Sequence, residues 1–506
     1  MMWRWFLCLG LLLASLCGWL WWQDHVARSL ATVLLGLLWL SLGIVLWWLR
    51  RPGLRLSLRW LLLPFLLGLL ALLPALLLRY EGSADGSAWP QLAWRWRGRD
   101  LPHWAAPTAR PALPSAAVAI RAQWPRFMGP QGDGQLGPAE FALDWAAHPP
   151  RELWRQPMGE GWSGFAVAAG RAFTQEQRGA MECVSCYALE NGQLLWLREV
   201  DRRFDEPLGG AGPRATPTLD VERGVLYAMG ATGLLQCLRL ADGQLVWQRE
   251  VLKEAGAQGN LTWAMSGSPL HIGDLVLVGA GAGGHSLLAF DAASGALRWR
   301  AGQGGGNYAS PMLMDLGGQR QVVQVEASSV AGFALADGRC LWRHDWPGGF
   351  PKVAQPLRVR DQQLLVSASY GMGCALLEMK TGQPKPEALW RGKFPRTKFS
   401  SAQWVGGVIC GLDEGMLCAV SANDGERLWR QERLGFGQQL ALQPDLLLVQ
   451  AERGEVVLLR IAASGPTRLG EIKALSSKTW NPPALAGRFL LVRNDREAVA
   501  YELAAP

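Results

Sequence analysis

The chain has 506 residues, with 50 Lys and Arg against 42 Asp and Glu, and 49% of it is apolar. Its net charge of +8 lies wholly in residues 1–122, which hold 12 Arg, no Lys and 4 acidic residues, whereas residues 123–506 set 38 basic against 38 acidic side chains. A nucleic-acid-binding domain carries its own basic excess, because phosphate neutralisation drives that binding, so nucleic acid is excluded as a partner of the larger part.

Three apolar runs, at about residues 3–22, 30–49 and 57–79, each approach the roughly 20 residues that cross a hydrocarbon core. They predict a transmembrane anchor of three α-helices over residues 1–80. Arg50, Arg51, Arg55 and Arg59 gather in the second connection, which the bias of basic residues toward the cytoplasm places inside. Everything after Arg79 is then outside, which in a bacterium means the periplasmic face of the inner membrane. Residues 81–122 follow as a linker rich in Pro, Ala, Trp and Arg. Within it, WRWRGRDLPHW over residues 94–104 fits either a segment lying at the lipid surface or a plain extended spacer.

From Glu152 a unit recurs: apolar strand, small turn, second apolar strand, Gly-containing turn, then a strand bearing one tryptophan. The last turn reads ENGQLLW to Trp196, ADGQLVW to Trp247, ASGALRW to Trp299, ADGRCLW to Trp342, TGQPKPEALW to Trp390 and NDGERLW to Trp429. A further copy, ASGPTRL, ends at Leu469 without the tryptophan, and Glu152-Leu153-Trp154 looks like the outer strand of a copy whose other strands lie elsewhere. Pairing Phe489–Val492 and Ala498–Leu503 with residues 152–158 closes a ring. Four strands per unit at a spacing of about 40 to 50 residues is the signature of a propeller. Residues 123–506 therefore predict an all-β, eight-bladed β-propeller of four-stranded antiparallel blades. The repeated tryptophan belongs between blades, since repetition argues for architecture over a cofactor contact.

Other chemistry is sparse. Cys183 and Cys186 are spaced C-x-x-C, but Tyr187 stands where haem attachment needs His, and residues three apart on a strand point to opposite faces. The six histidines show no metal-ligand spacing, so no metal residue is named. The segment Gly279 to Gly284 lacks the strand-to-helix setting and the Lys of a phosphate loop.

The repeated (D/S)-G-x-x-x-W unit resembles the quinoprotein-type propellers with PQQ-like repeats, over about residues 123–506. The lead-in Trp124-Pro125-Arg126-Phe127-Met128-Gly129-Pro130, with Gly132-Asp133-Gly134, resembles the W-P-x-F-R-G-P segment ahead of many bacterial propellers of this kind, Met128 replacing the Arg. The resemblance implies one of two roles: a dehydrogenase that oxidises an alcohol or sugar with pyrroloquinoline quinone and Ca²⁺, or a partner-binding propeller like that of outer-membrane protein assembly, which catalyses nothing. The adjacent Cys-Cys pair of many such dehydrogenases is missing here.

In a propeller, the loop before each innermost strand and the loop between the second and third strands open on one face. The first set brings Arg214, Lys352, Lys398 and Lys478 to a shared mouth, a cationic opening for a partner protein or an anionic small molecule. Trp263 and Trp480 are candidates to stack on a planar ring, and Asn307 and Asn481 to bind its carbonyls. The second set brings Glu176, Gln177, Arg178, Tyr370, Asp413, Glu414, Asp495 and Arg496, whose carboxylates are candidates for a Ca²⁺ ligand or a general base. The expected function is a membrane-anchored binding or scaffolding propeller, the alternative an inner-membrane quinoprotein dehydrogenase.

Overall fold

The computed structural model describes residues 77–96, 104, 123–380 and 382–506. The three apolar runs and the arginine-rich loop lie outside the described residues, save the last residues of the third run. Those residues are not helical to the end: Leu78 and Arg79 already belong to a strand, Leu78–Ser83. Among the described residues, no helix is long and apolar enough to cross a membrane.

The chain divides into two units, Met1–Leu101 with Glu206–Gly210, and Pro102–Asp205 with Ala211–Pro506. In the first, Leu78–Ser83 and Pro90–Trp94 form an antiparallel hairpin with Leu78 opposite Trp94 and Ser83 opposite Pro90. The sequence reading put Leu78–Tyr80 at the end of the third helix and residues 81–94 in the linker; both are corrected to strand and turn. The signal was the polar turn Ala84-Asp85-Gly86-Ser87, where Ser87 N donates to Asp85 Oδ1 at 2.8 Å and Ala84 N to Trp89 O at 2.7 Å. Within the same unit, Ser83 Oγ donates to Leu208 O at 2.8 Å.

In the second unit, eight sheets of four or five strands make the blades among the described residues. Blades 1 to 7 cover residues 166–201, 218–250, 270–301, 312–345, 357–392, 403–433 and 438–473, each laid down from its innermost strand outward. Blade 8 joins residues 484–502 to Arg151–Pro157, whose register runs from Glu497 opposite Pro157 to Glu502 opposite Arg151. The expected closure by the two ends of the region is therefore present. Most positions of the inner and middle strands are buried, with exceptions such as Arg358 and Arg360; outer strands are largely exposed, as Leu245–Glu250 is with Trp247 its one buried residue. That pattern is what a sheet face packed on one side requires.

The tryptophans dock blade on blade. Trp154, Trp196, Trp247, Trp299, Trp390 and Trp429 each donate the indole N–H to a carbonyl of the following blade: Leu189, Leu240, Ala292, Leu335, Ala422 and Ala462, at 2.7 to 3.1 Å. The turn glycine of the next blade lies flat on the ring in five of these; at Trp429 the next turn's Gly465 meets Gln431 instead. A Cβ on Gly243 would stand 2.5 Å from the Trp196 ring, and Gly243 has φ of +72° besides. Glycine is thus required twice, for its backbone and for the ring above it. Trp342 departs from the rule and donates to Gln321 Oε1 of its own blade at 2.5 Å. The next turn, in the irregular TGQPKPEALW copy, has no ring on Gly382.

The lead-in segment lies across the innermost strands. Trp124 exchanges two backbone hydrogen bonds with Val167 of blade 1, at 2.8 and 2.7 Å, and Leu219 N of blade 2 donates to Pro125 O at 2.8 Å. Gln135–Leu136 then runs parallel to the first strand of blade 7, opposite Ala441 and Leu442. Its contacts fall at the far ends of the first strands, so the segment occupies the end of the central channel opposite the loop face. Trp124 and Met128 are buried there.

Candidate functional site

The loop face of blades 5 to 8 and 1 carries two groups of aromatic side chains with Lys398 between them. Trp162, from the loop into blade 1, tilts against Trp480, from the loop into blade 8, with ring centroids 4.7 Å apart. Phe399 lies 4.8 Å from Trp480 and 5.9 Å from Phe436. Two lysines are laid on these rings: Lys478 Nζ is 4.4 Å from the Trp480 centroid and 5.3 Å from that of Trp162, and Lys398 Nζ is 5.0 to 5.4 Å from Tyr370, Phe399 and Phe436. Each cation faces the negative π-surface of its neighbours.

The other group is Phe350, 47% exposed, stacked on Tyr370 with centroids 5.2 Å apart and planes 9° from parallel. Tyr370 holds φ of +59° and Gly371 +80°, the double positive φ of a tight hairpin turn, which favours Asn or Asp before the Gly. A bulky residue there costs about 1–2 kcal/mol. Neighbouring Glu414 and Gly415 repeat the geometry at +48° and +83°, and Ser369 Oγ reaches Glu414 Oε1 at 2.5 Å. Strain of this kind gathers where a side chain must be aimed, and at Tyr370 it aims a ring at the rim.

The residues named from the sequence are brought to this face, but the four cations do not share an open mouth. Lys352 is buried: its Nζ donates to Ala327 O at 2.6 Å and Gly348 O at 3.0 Å, and burial pushes its pKa down. Arg214 stacks on Phe204 at 4.7 Å and donates to Gly212 O. Lys398 is buried beneath its rings. Trp263 tilts against Tyr308 at 5.8 Å, in the loops into blades 3 and 4, apart from the Trp480 group. Asn307 Oδ1 accepts from Lys352 N at 2.9 Å and Tyr308 N at 3.0 Å, and Asn481 Nδ2 donates to Gly161 O at 3.1 Å and Ser163 O at 2.8 Å. The amides therefore tie loop to loop. Trp480 donates its N–H to Glu452 Oε1 at 2.7 Å, a carboxylate the sequence reading missed.

The carboxylates of the second set of loops are engaged as well. Asp413 has no exposed side-chain surface and lies between Arg396, at 2.8 Å, and Arg430, at 2.9 Å. Glu176 receives Tyr187 Oη at 2.8 Å, Gly159 N at 2.6 Å, Arg178 at 3.0 Å and the Ser185 hydroxyl. Its burial alone would raise the pKa; Arg178 and Arg493 with those hydrogen bonds reverse the sign and hold it below the ordinary value. Arg493, fully buried, spans blades 8 and 1 by donating to Gln175 O at 2.7 Å and Thr174 Oγ1 at 2.8 Å. Glu326, also missed, takes Ser286, Ser329 and Arg343. Asp495 differs: its Oδ1 is enclosed and has no hydrogen-bond partner, and burial raises its pKa despite Lys478 and Arg496 nearby.

Trp104, from the segment read as a lipid-surface or spacer stretch, lies beside this network, 6.0 Å from the Arg178 guanidinium.

Ring closure, tryptophan docking and the loop-face arrangement define a propeller of PQQ-like repeats. The sequence matches the family described as "Outer membrane protein assembly factor BamB" over residues 146–312, 180–393 and 326–474, and the chain belongs to that family. No curated protein matches it. Among solved structures it resembles BamB from Moraxella catarrhalis, at 18% identity and TM-score 0.53, over 70% of this chain and 98% of that one. It also resembles the quinohemoprotein alcohol dehydrogenase of Comamonas testosteroni, at 13% identity and TM-score 0.57, over 77% and 82% of the two chains. A europium-containing methanol dehydrogenase gives 12% identity and TM-score 0.56, over 74% and 89%. Likeness at such identity establishes the fold, and function has to come from the site.

Of the side chains named for the quinone of the dehydrogenase alternative, Trp480, Lys352 and Asn481 are engaged within the protein. Trp480 is tilted against Trp162 at 44° and against Phe399 at 55°, so neither pair is a parallel stack. Lys352 and Asn481 are turned to backbone carbonyls. Among the described residues, no group of three His, Cys, Asp or Glu side chains is placed to hold a metal ion.

Proposed function

We propose that this chain is a membrane-attached propeller, facing the periplasm of a bacterium, that holds a protein partner against the aromatic rim of its loop face and carries out no reaction there. The observation that carries the reading is the rim itself: a strained Tyr370 presenting an exposed Phe350, continued by lysine-backed rings to Trp162. Phe350 is the exposed ring of the rim, and Trp162, Trp480 and Phe436 are buried behind it; an exposed aromatic anchored on a packed support is the kind of group that dominates protein interfaces. The three apolar runs supply attachment, and the description of the family as an assembly factor agrees with a binding role.

The test is a photo-crosslinking residue placed at Phe350, with Leu245 on an outer strand as control. The expected result is one crosslinked protein from the Phe350 position, whose purified form binds the propeller and loses at least tenfold affinity on Lys398→Ala with Phe350→Ala. Tight, Ca²⁺-dependent binding of pyrroloquinoline quinone, measured by calorimetry and abolished in a Lys352→Ala, Lys398→Ala variant, would overturn the reading in favour of the dehydrogenase.

A further inference from the structure

We infer that the hairpin of residues 78–94 is a lipid-contacting element whose aromatic face lies at the headgroup boundary of a bilayer; the inference rests on the membrane attachment proposed above. The two strands are amphipathic across their pleat. Leu78 stands opposite Trp94 and shares its face, Leu92 follows two residues earlier on the same strand, and Arg79 stands opposite Ala93 on the other face, where it pairs with Glu81 at 2.8 Å. Leu92 and Trp94 are each 48% exposed, Trp89 is 51% and Trp96 is 68% exposed, and the Trp94 and Trp96 rings stack at 4.8 Å.

A lone two-stranded ribbon is marginally stable in water, and a cluster of exposed large apolar rings marks a contact surface. Tryptophan has a specific preference for the bilayer interface, where its ring is buried and its N–H stays wet. The position of the hairpin selects lipid as the occupant. Its first strand begins inside the third apolar run, so no spacer separates the aromatic face from the segment that reads as a membrane span. Arg95, Arg97 and Arg99 alternate with Trp94 and Trp96 along the chain, the charge suited to lipid phosphates.

The test uses the full chain with Cys8, Cys17 and Cys340 replaced by Ser, reconstituted in vesicles of phosphatidylethanolamine and phosphatidylglycerol. Nitroxides are attached singly to Gln91→Cys, Leu92→Cys, Ala93→Cys and Trp94→Cys. Flotation reports attachment, and relaxation by oxygen or by a water-soluble nickel chelate reports the surroundings of each label. The expected result is flotation with a two-residue alternation, labels at 92 and 94 relaxed several-fold more by oxygen than by the chelate and labels at 91 and 93 the reverse. Flotation with all four labels equally open to the chelate, or with 92 and 94 shielded from both agents, overturns the lipid contact and leaves attachment standing. Failure to float overturns both.

Discussion

The indole N–H of Trp196 in blade 1 donates to the carbonyl of Leu240 in blade 2 at 3.0 Å, while Gly243 of blade 2 lies against the face of the same ring. One side chain thus serves the seam twice, by hydrogen bond and by packing. Trp196→Phe keeps most of the packing and removes one of two hydrogen bonds to the carbonyl, which also accepts from Arg171 at 2.9 Å, so it costs no more than about 1 kcal/mol. Gly243→Ala must displace the ring and strain a positive φ, and is expected to cost about 2 kcal/mol or more. Urea midpoints of the two variants check the order.

Tyr370→Asn separates stability from binding. Relief of the left-handed strain gains about 1 kcal/mol, and loss of the stack on Phe350 forfeits about 0.5–1.5 kcal/mol. The melting temperature is expected to stay within a few degrees of the parent. Crosslinking from position 350 to the partner is expected to fall at least fivefold. A large fall in melting temperature would show that the ring is needed for the fold.

Asp495 gives a pH dependence of known sign. Burial raises its folded pKa above the ordinary 3.8. Below pH 3.8 the carboxyl is protonated in both states and contributes nothing; as pH rises through the raised folded value, the enclosed group becomes charged and stability falls. Asp495→Asn is expected to match the parent at the acid end and to exceed it increasingly as pH rises, levelling off once the folded carboxyl is ionised, read as urea midpoints from about pH 3.5 to about pH 8. An advantage that shrinks with rising pH would contradict this assignment.

Most of the cysteines are chemically silent. Cys183, Cys186, Cys237, Cys374, Cys410 and Cys418 are buried and unpaired, and burial pushes Cys183, Cys237, Cys374 and Cys418 up to about 12. Cys340 is exposed. Brief iodoacetamide treatment of the folded protein at pH 8, followed by peptide mass mapping, is expected to modify Cys340 and none of those six.

The ring was legible because its determinants are local and repeated: each turn carries its own Gly and Trp, and the isolated Trp154 strand demanded partners from residues 489–503. The loop face was legible in position only. Lys352, Lys398 and Asn481 lie in loops between blades, but whether an ammonium faces solvent, a ring or a carbonyl depends on contacts between blades that no local pattern encodes. Glu452 and Glu326 escaped notice for the same reason, since their partners come from other loops or from distant strands of the blade. The hairpin of residues 78–94 was hidden because an apolar strand start is indistinguishable by composition from the end of an apolar run.

The closing strand also sets an order of events. Arg155 and Glu497 meet at 2.6 Å yet lie 342 residues apart in sequence. At about 5–20 residues per second of synthesis, Arg151–Pro157 waits on the order of tens of seconds before Glu497–Glu502 exists to receive it. Blade 8 is the last to assemble however early its outer strand is made, and until then blades 1 and 7 each keep an uncovered apolar flank. The nascent protein is most vulnerable to aggregation just before Glu497–Glu502 is made.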